Sequence, residues 1–256
     1  LKSLSGEERA RILTTYFSYE IPCVMITKGQ ELPEGMEALA AKAGIAILRS
    51  QLKTQQFYAR LGPFLEDAFA PTTTLHGSLA DVYGVGLLFT GQSGIGKSEC
   101  VLDLVERGHR LVADDVVIAR RKGADIILGS GHPLQRHYME IRGVGLIDVR
   151  AIFGIRAVRQ QKRIEVIVNL VEWKQGMTVE RTGLDAEMAN ILDVEVPRIS
   201  IPLNPGKNIT VVAEVIAMNH LLRYSGEDPA HNFNERLKGH MRQKADVQRY
   251  LLDDDE

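Results

Sequence analysis

With 256 residues, 31 Lys and Arg against 33 Asp and Glu, and a formal charge of −2, the chain has room for one large or two modest domains. Its 45% hydrophobic and 25% charged content is ordinary globular composition and excludes wholesale disorder. The balanced charge argues against nucleic acid as a partner, and no apolar run is long enough to span a bilayer.

The two cysteines, Cys23 and Cys100, stand far apart and without CxxC spacing. Neither a disulfide framework nor a zinc site is expected, and a reducing, cytoplasmic location is. No cationic-then-apolar leader is present. The chain begins at Leu1, and its first domain is expected to be incomplete.

In chain order, residues 7–16 read as a helix, 23–27 as an apolar strand, 34–43 as a helix and 45–48 as a strand. A longer helix is expected over 53–69, and the boundary is placed at Glu66. An α/β domain over 1–66 thus precedes a second domain over 67–256. Residues 84–90 form a short buried strand, followed by a glycine-rich turn and a helix over 97–107. A strand over 109–113 ends in Asp114-Asp115, and 116–120 with 125–128 make a hairpin. The alternation of Ile164, Val166 and Val168 predicts one long strand over 163–173, with Trp173 in the core. Residues 209–213 read as strand, and 214–224 and 232–243 as helices. The fold class is α/β, with a mixed sheet joined to a phosphate-binding strand–loop–helix unit.

The strongest motif is Gly91-Gln92-Ser93-Gly94-Ile95-Gly96-Lys97-Ser98, which fits G-x-x-x-x-G-K-[ST]. Its glycines let several backbone N–H groups converge on one anion, and the next helix adds the positive end of its dipole. Lys97 is placed to reach the outer phosphates of ATP, and Ser98 the magnesium ion. A glycine-rich surface turn is the bland alternative, opposed by the apolar strand before it and the helix after it. Sixteen positions on, Asp114 and Asp115 close an apolar strand. A carboxylate there can hold magnesium or accept a hydroxyl proton; an Asp-rich turn is the structural alternative. Both acids can share one pocket only if the chain bends, and repulsion between them should then raise one pKa.

Weaker candidates surround these. His76 alone reads as a turn or core histidine, and Glu140 alone as an exposed acid on an edge strand. Arg181 is either a phosphate clamp or a surface ion-pair residue. Pro202-Leu203-Asn204-Pro205-Gly206-Lys207 is a rigid turn carrying one cation. His132 and His137 read as structural.

As an ordered series, these segments resemble the bacterial HPr kinase/phosphorylase family. The likeness rests on His76-Gly77, Asp81-Val82-Tyr83-Gly84-Val85-Gly86, the glycine-rich loop, and Arg107-Gly108-His109-Arg110 leading to Asp114-Asp115. It continues through Glu140-Ile141-Arg142-Gly143-Val144-Gly145, Arg181-Thr182-Gly183-Leu184 and the turn at 202–207. The family fold has a core resembling that of phosphoenolpyruvate carboxykinases, preceded by a small domain. The resemblance implies a bifunctional enzyme that phosphorylates a serine of HPr with ATP or pyrophosphate. The same enzyme removes that group with inorganic phosphate, regulating sugar uptake and carbon catabolite repression. It further implies magnesium at Ser98 and Glu140, with Asp114 as a further candidate, and catalytic roles for His76, Lys97, Asp115 and Arg181. The 202–207 turn would serve phosphorolysis, and the assembly would be a homohexamer. Rival readings are a P-loop kinase of another small protein or metabolite, and a non-catalytic nucleotide sensor. The acid at Asp115 speaks against the sensor.

Overall fold

The computed structural model describes residues 4–173, 187–204 and 206–253. The chain divides into two compact units, Leu1–Phe69 and Ala70–Glu256. In the first, α1 (Gly6–Tyr16) opens on a capping box. The Ser5 hydroxyl accepts from the Glu8 N–H, and the Glu8 carboxylate accepts from the Ser5 N–H. Strands β1 (Cys23–Ile26) and β2 (Ala46–Arg49) pair in parallel around α2 (Met36–Ala43). Leu13, Phe17, Val24, Met36 and Ala40 make the core of this unit. Helix α3 (Thr54–Ala68) completes it, with no residue of its own buried.

The second unit runs β3 (Thr72–His76), β4 (Ser78–Val82), β5 (Val85–Gly91), α4 (Lys97–Glu106), β6 (Arg110–Ala113), β7 (Val116–Lys122) and β8 (Ile126–Gly131). It continues with β9 (Tyr138–Ile141), β10 (Gly145–Asp148), α5 (Val149–Phe153), β11 (Gln161–Arg163) and β12 (Val166–Glu172). The last elements are β13 (Glu187–Ile191), β14 (Val194–Leu203), α6 (Ile209–Tyr224) and α7 (Pro229–Asp253). A six-stranded mixed sheet has the order β13-β14-β12-β5-β4-β6, and a four-stranded antiparallel sheet the order β11-β8-β7-β3. Strands β9 and β10 form a separate antiparallel ribbon.

The central strands are buried on both faces, which is why residues 85–90 read as almost continuously apolar. Leu87 and Phe89 pack in one cluster with Val101 and Leu104 of α4 and Ala213 and Ala217 of α6. Leu88, pointing the other way, joins Val117, Ala119 and Ile127 of the four-stranded sheet. Each fully buried Leu, Val, Ile or Phe among these contributes about 1.5–3 kcal/mol.

The expected strand over 163–173 is two strands in two sheets. β11 ends at Arg163, and the chain crosses to β12 through Ile164 and Glu165. Gly86 permits the crossing, because a Cβ there would collide with the Arg163 carbonyl. Glu165 then clasps Gly86, donating its N–H to the Gly86 carbonyl at 2.9 Å and accepting from the Gly86 N–H at 2.7 Å. Residues 209–213 are helix, not strand: they are the first turns of α6. The β-branched run Ile209-Thr210-Val211-Val212 favours strand by propensity. Capping by the Asn208 side chain and burial of Ala213, Ile216 and Ala217 override it. Trp173 lies past the end of β12 and is 45% exposed, so it is not a core residue. Among the described residues, no helix is long and apolar enough to cross a membrane.

Strands β5, β12 and β14 run parallel, with Gly91 and Ile201 both opposite Leu170. Their carboxyl ends therefore share one edge, the place where open α/β sheets bind ligands.

Candidate active site

The glycine-rich loop leaves that edge at Gly91 and enters α4 at Lys97. Gly96 occupies the N-cap with φ 103° and contributes no side-chain cap, so the first-turn N–H groups face outward around the loop. Gly91 lies so close to the Leu170 carbonyl that no side chain would fit. The Lys97 ammonium folds over the loop, donating to the carbonyls of Gly91 at 3.2 Å and Gln92 at 2.9 Å.

The chain does bend at the two acids. Asp115 takes a left-handed conformation, φ 66°, and the Val116 N–H closes on the Asp114 carbonyl at 2.7 Å. This separates the two carboxylates into different environments. Asp114 is buried; its Oδ1 accepts from the Ser98 hydroxyl at 3.0 Å and the Ser78 hydroxyl at 2.5 Å. Burial raises the Asp114 pKa against the lowering effect of those two hydroxyls, and the neighbouring Asp115 charge adds a smaller upward push. Asp115 is exposed, its carbonyl held by the Gly77 N–H at 3.1 Å. In the β3–β7 ladder His76 stands opposite Val116, so the sheet brings His76 and Asp115 to one place.

Glu140 sits on the β9–β10 ribbon opposite Leu146 with its side chain exposed, and its backbone N–H helps to lower the Asp114 pKa. The same ribbon brings Arg142 onto the loop: its guanidinium lies where a Cβ on Gly94 would go. Sequence reasoning missed Arg142 as a site residue. Its only signal was a cation two positions after Glu140 in a glycine-flanked segment.

Hard oxygen donors meet here: the Ser98 hydroxyl touches the Asp114 carboxylate, and Glu140, whose backbone N–H reaches Asp114, carries a second carboxylate. That set suits magnesium, which takes one or two carboxylates and completes its shell with phosphate oxygens and water. Among the described residues, no group of three or more His, Cys, Asp and Glu side chains forms a cage for a metal without such a ligand.

A family model described as HPr Serine kinase C-terminal domain matches residues 67–237, and one described as HPr Serine kinase N terminus matches residues 1–65. The chain belongs to the HPr serine kinase family. It is 47% identical over 247 residues to a protein of Chloroherpeton thalassium named HPr kinase/phosphorylase, a match covering 96% of this chain and 73% of that one. It is 46% identical to the HPr kinase/phosphorylase of Shouchella clausii, over 93% of this chain and 76% of the relative. The solved structure of the Hpr(Ser) kinase/phosphatase from Coxiella burnetii superposes with a TM-score of 0.56 at 34% identity, over 64% of this chain and 99% of that one.

In this HPr serine kinase chain, the expected turn at 202–207 begins as strand: Pro202 and Leu203 are the last residues of β14, at the same sheet edge as the glycine-rich loop. Lys207 closes the turn by donating to the Pro202 carbonyl at 3.2 Å. Pro205 and Arg181 lie outside the described residues. The His132 Nδ1 accepts from the Leu134 N–H at 3.4 Å within a turn.

Proposed function

We propose that the chain transfers a phosphoryl group from ATP or pyrophosphate to a serine of HPr and removes it again with inorganic phosphate. Membership of the HPr serine kinase family supports this reading. The observation that carries it is the division between the two acids: one buried and tied to Ser98 at the start of α4, the next residue exposed. In the forward direction the loop N–H groups and Lys97 hold the outer phosphates. The serine oxygen attacks the terminal phosphorus, its proton passes to the Asp115 carboxylate, and the bond to the leaving ADP or phosphate oxygen breaks. In reverse, a phosphate oxygen attacks the phosphoserine phosphorus. Asp115 returns the proton to the departing serine oxygen, and pyrophosphate leaves.

Magnesium, when bound at Ser98 with Asp114 or Glu140, supplies charge neutralisation to the phosphates. His76 positions the acid from the end of β3, and the family likeness assigns Arg181 and the 202–207 segment to the same reaction. A homohexamer is part of this proposal. The exposed Val144, Leu146, Ile152 and Ile155 offer an apolar surface of the kind that subunit contacts cover.

The test is incubation of the protein with HPr, magnesium and γ-labelled ATP, followed by a chase with unlabelled phosphate. Label is expected on an HPr serine, then in pyrophosphate. HPr that stays unlabelled would overturn the proposal; label that resists the chase would reduce it to a kinase.

A further inference from the structure

At the end of the sheet opposite the phosphate loop, where β4 turns into β5 and α4 ends, lies a cavity of about 300 Å³. Its lining includes Asp81, Tyr83, Arg107, His109, Arg110 and Arg159. The proposed phosphoryl transfer uses none of them. We propose that this cavity binds a small oxyanion that also carries a hydroxyl group.

The hydroxyl is demanded by Asp81. This carboxylate is 5% exposed, and its Oδ2 accepts from Arg159 Nη1 at 2.7 Å. Its Oδ1, equally buried, has no hydrogen-bond partner. A buried carboxylate oxygen without a donor is costly and uncommon, and a ligand O–H supplies the missing donor.

The anion is demanded by the arginines. Arg110 faces Asp81 directly across the β4–β6 ladder, is exposed, and has no side-chain partner among the described residues. Arg107 spends its Nε and Nη2 on the Glu214 carboxylate at 3.0 and 2.7 Å, and Arg159 its Nε and Nη1 on the Gln161 carbonyl and Asp81. Both side chains remain 42% exposed. A guanidinium has five N–H donors, so each keeps donors for a ligand. Carboxylates and phosphates match that fork geometry.

The cavity is also built rather than incidental. Glu214, itself buried, holds Arg107 on one side and His109 Nε2 at 3.1 Å on the other, and the Tyr83 ring packs edge-on against His109 at 4.6 Å. The volume lies at the small end of ligand sites, which favours a compact metabolite over a whole nucleotide. A metal ion alone is disfavoured by the three guanidinium groups.

Isothermal titration calorimetry on the full chain, without nucleotide, magnesium or HPr, tests this independently of the phosphoryl-transfer reading. The probes are sn-glycerol 3-phosphate and D-glycerate, which pair a hydroxyl with a phosphate ester or a carboxylate, and propyl phosphate, which has no hydroxyl. Binding of at least one hydroxylated probe is expected at millimolar concentration or below. Arg110→Gln should weaken it roughly tenfold or more, the scale of one lost charge-assisted hydrogen bond. Should Arg110→Gln fail to fold by circular dichroism, Arg110→Lys replaces it and should weaken binding less than tenfold but measurably. Lys97→Ala should leave it unchanged. If glycerol 3-phosphate is the probe that binds, propyl phosphate should bind several-fold more weakly. No heat from either hydroxylated probe overturns the proposal. So does affinity lost in Lys97→Ala but kept in the Arg110 variant, which would place the binding at the phosphate loop. Propyl phosphate binding as well as glycerol 3-phosphate removes the role of Asp81.

Discussion

The two ends of α4 receive charge by opposite means. At its start, the glycine-rich loop presents backbone N–H groups and a lysine that rests on the loop's own carbonyls. At its finish, Arg107 closes the helix and is fixed by a carboxylate from α6, 107 positions away in sequence. One end is made of consecutive residues, the other of side chains gathered from β4, β6, α6 and the segment before β11. A backbone cradle survives changes at its variable positions and falls with its lysine. A side-chain cluster can lose one member and lose only its own fit.

Substitution can break that contrast, and the largest effect should come from Lys97→Ala. Phosphoryl transfer should fall by roughly 10³–10⁵-fold, the scale of removing a cation from a phosphoryl-transfer site, with the circular dichroism spectrum unchanged. Near-normal transfer would show that the loop does not hold the reacting phosphates.

Asp115→Asn should lower both directions by about 10²–10⁴-fold, because the amide cannot accept the serine proton. Nucleotide affinity, measured by titration, should hold or improve. Asp114→Asn should instead be partly rescued by raised magnesium. Rescue of Asp115→Asn by magnesium would exchange the two roles.

The same pair yields a pH prediction. Burial raises the Asp114 pKa above its ordinary 3.8, so the folded state holds a proton that the unfolded chain has released. Stability from this carboxyl is therefore present at low pH and lost as pH rises from that value through the folded one. Asp114→Asn still offers an oxygen to Ser78 and Ser98 but carries no charge. Its Tm should exceed that of the wild type by a few degrees at neutral pH, and the difference should vanish in acid. A constant difference across pH would mean that Asp114 is ionised in a solvated setting.

At the other end, Glu214→Gln should lower Tm by several degrees, since Arg107 and His109 share that carboxylate. Transfer to HPr below the melting range should be unchanged, and an altered rate would couple the two ends. Smallest of all should be removal of the first unit: a fragment over 70–256 should fold and keep its transfer activity, because every candidate catalytic residue lies within it. An inactive fragment would make the first unit part of the working site.

Legibility followed the distance over which an interaction acts. The strand, loop and helix at 85–106 could be read because each residue's conformation there depends on its neighbours. Residues 209–213 misled because their β-branched side chains favour strand, whereas their surroundings bury α6 against the sheet. The break at Ile164 and Glu165 was invisible because alternation continues through it while the strand changes sheets. Trp173 was assigned to the core by residue type alone, and exposure is set by where β12 ends.

The sequence by itself determined the glycine-rich loop between strand and helix, the acids after β6 and the α/β class. Such features are written in local spacing and in backbone freedom that only certain residues allow. Tertiary structure alone decided which acid is buried, because that depends on Ser78 and Ser98 arriving from β4 and α4. It alone set Arg142 over Gly94 and left Asp81 with an unpaired oxygen beside Arg110. Burial and charge pairing are properties of neighbours in space, and segments distant in the chain become neighbours only when the sheets form.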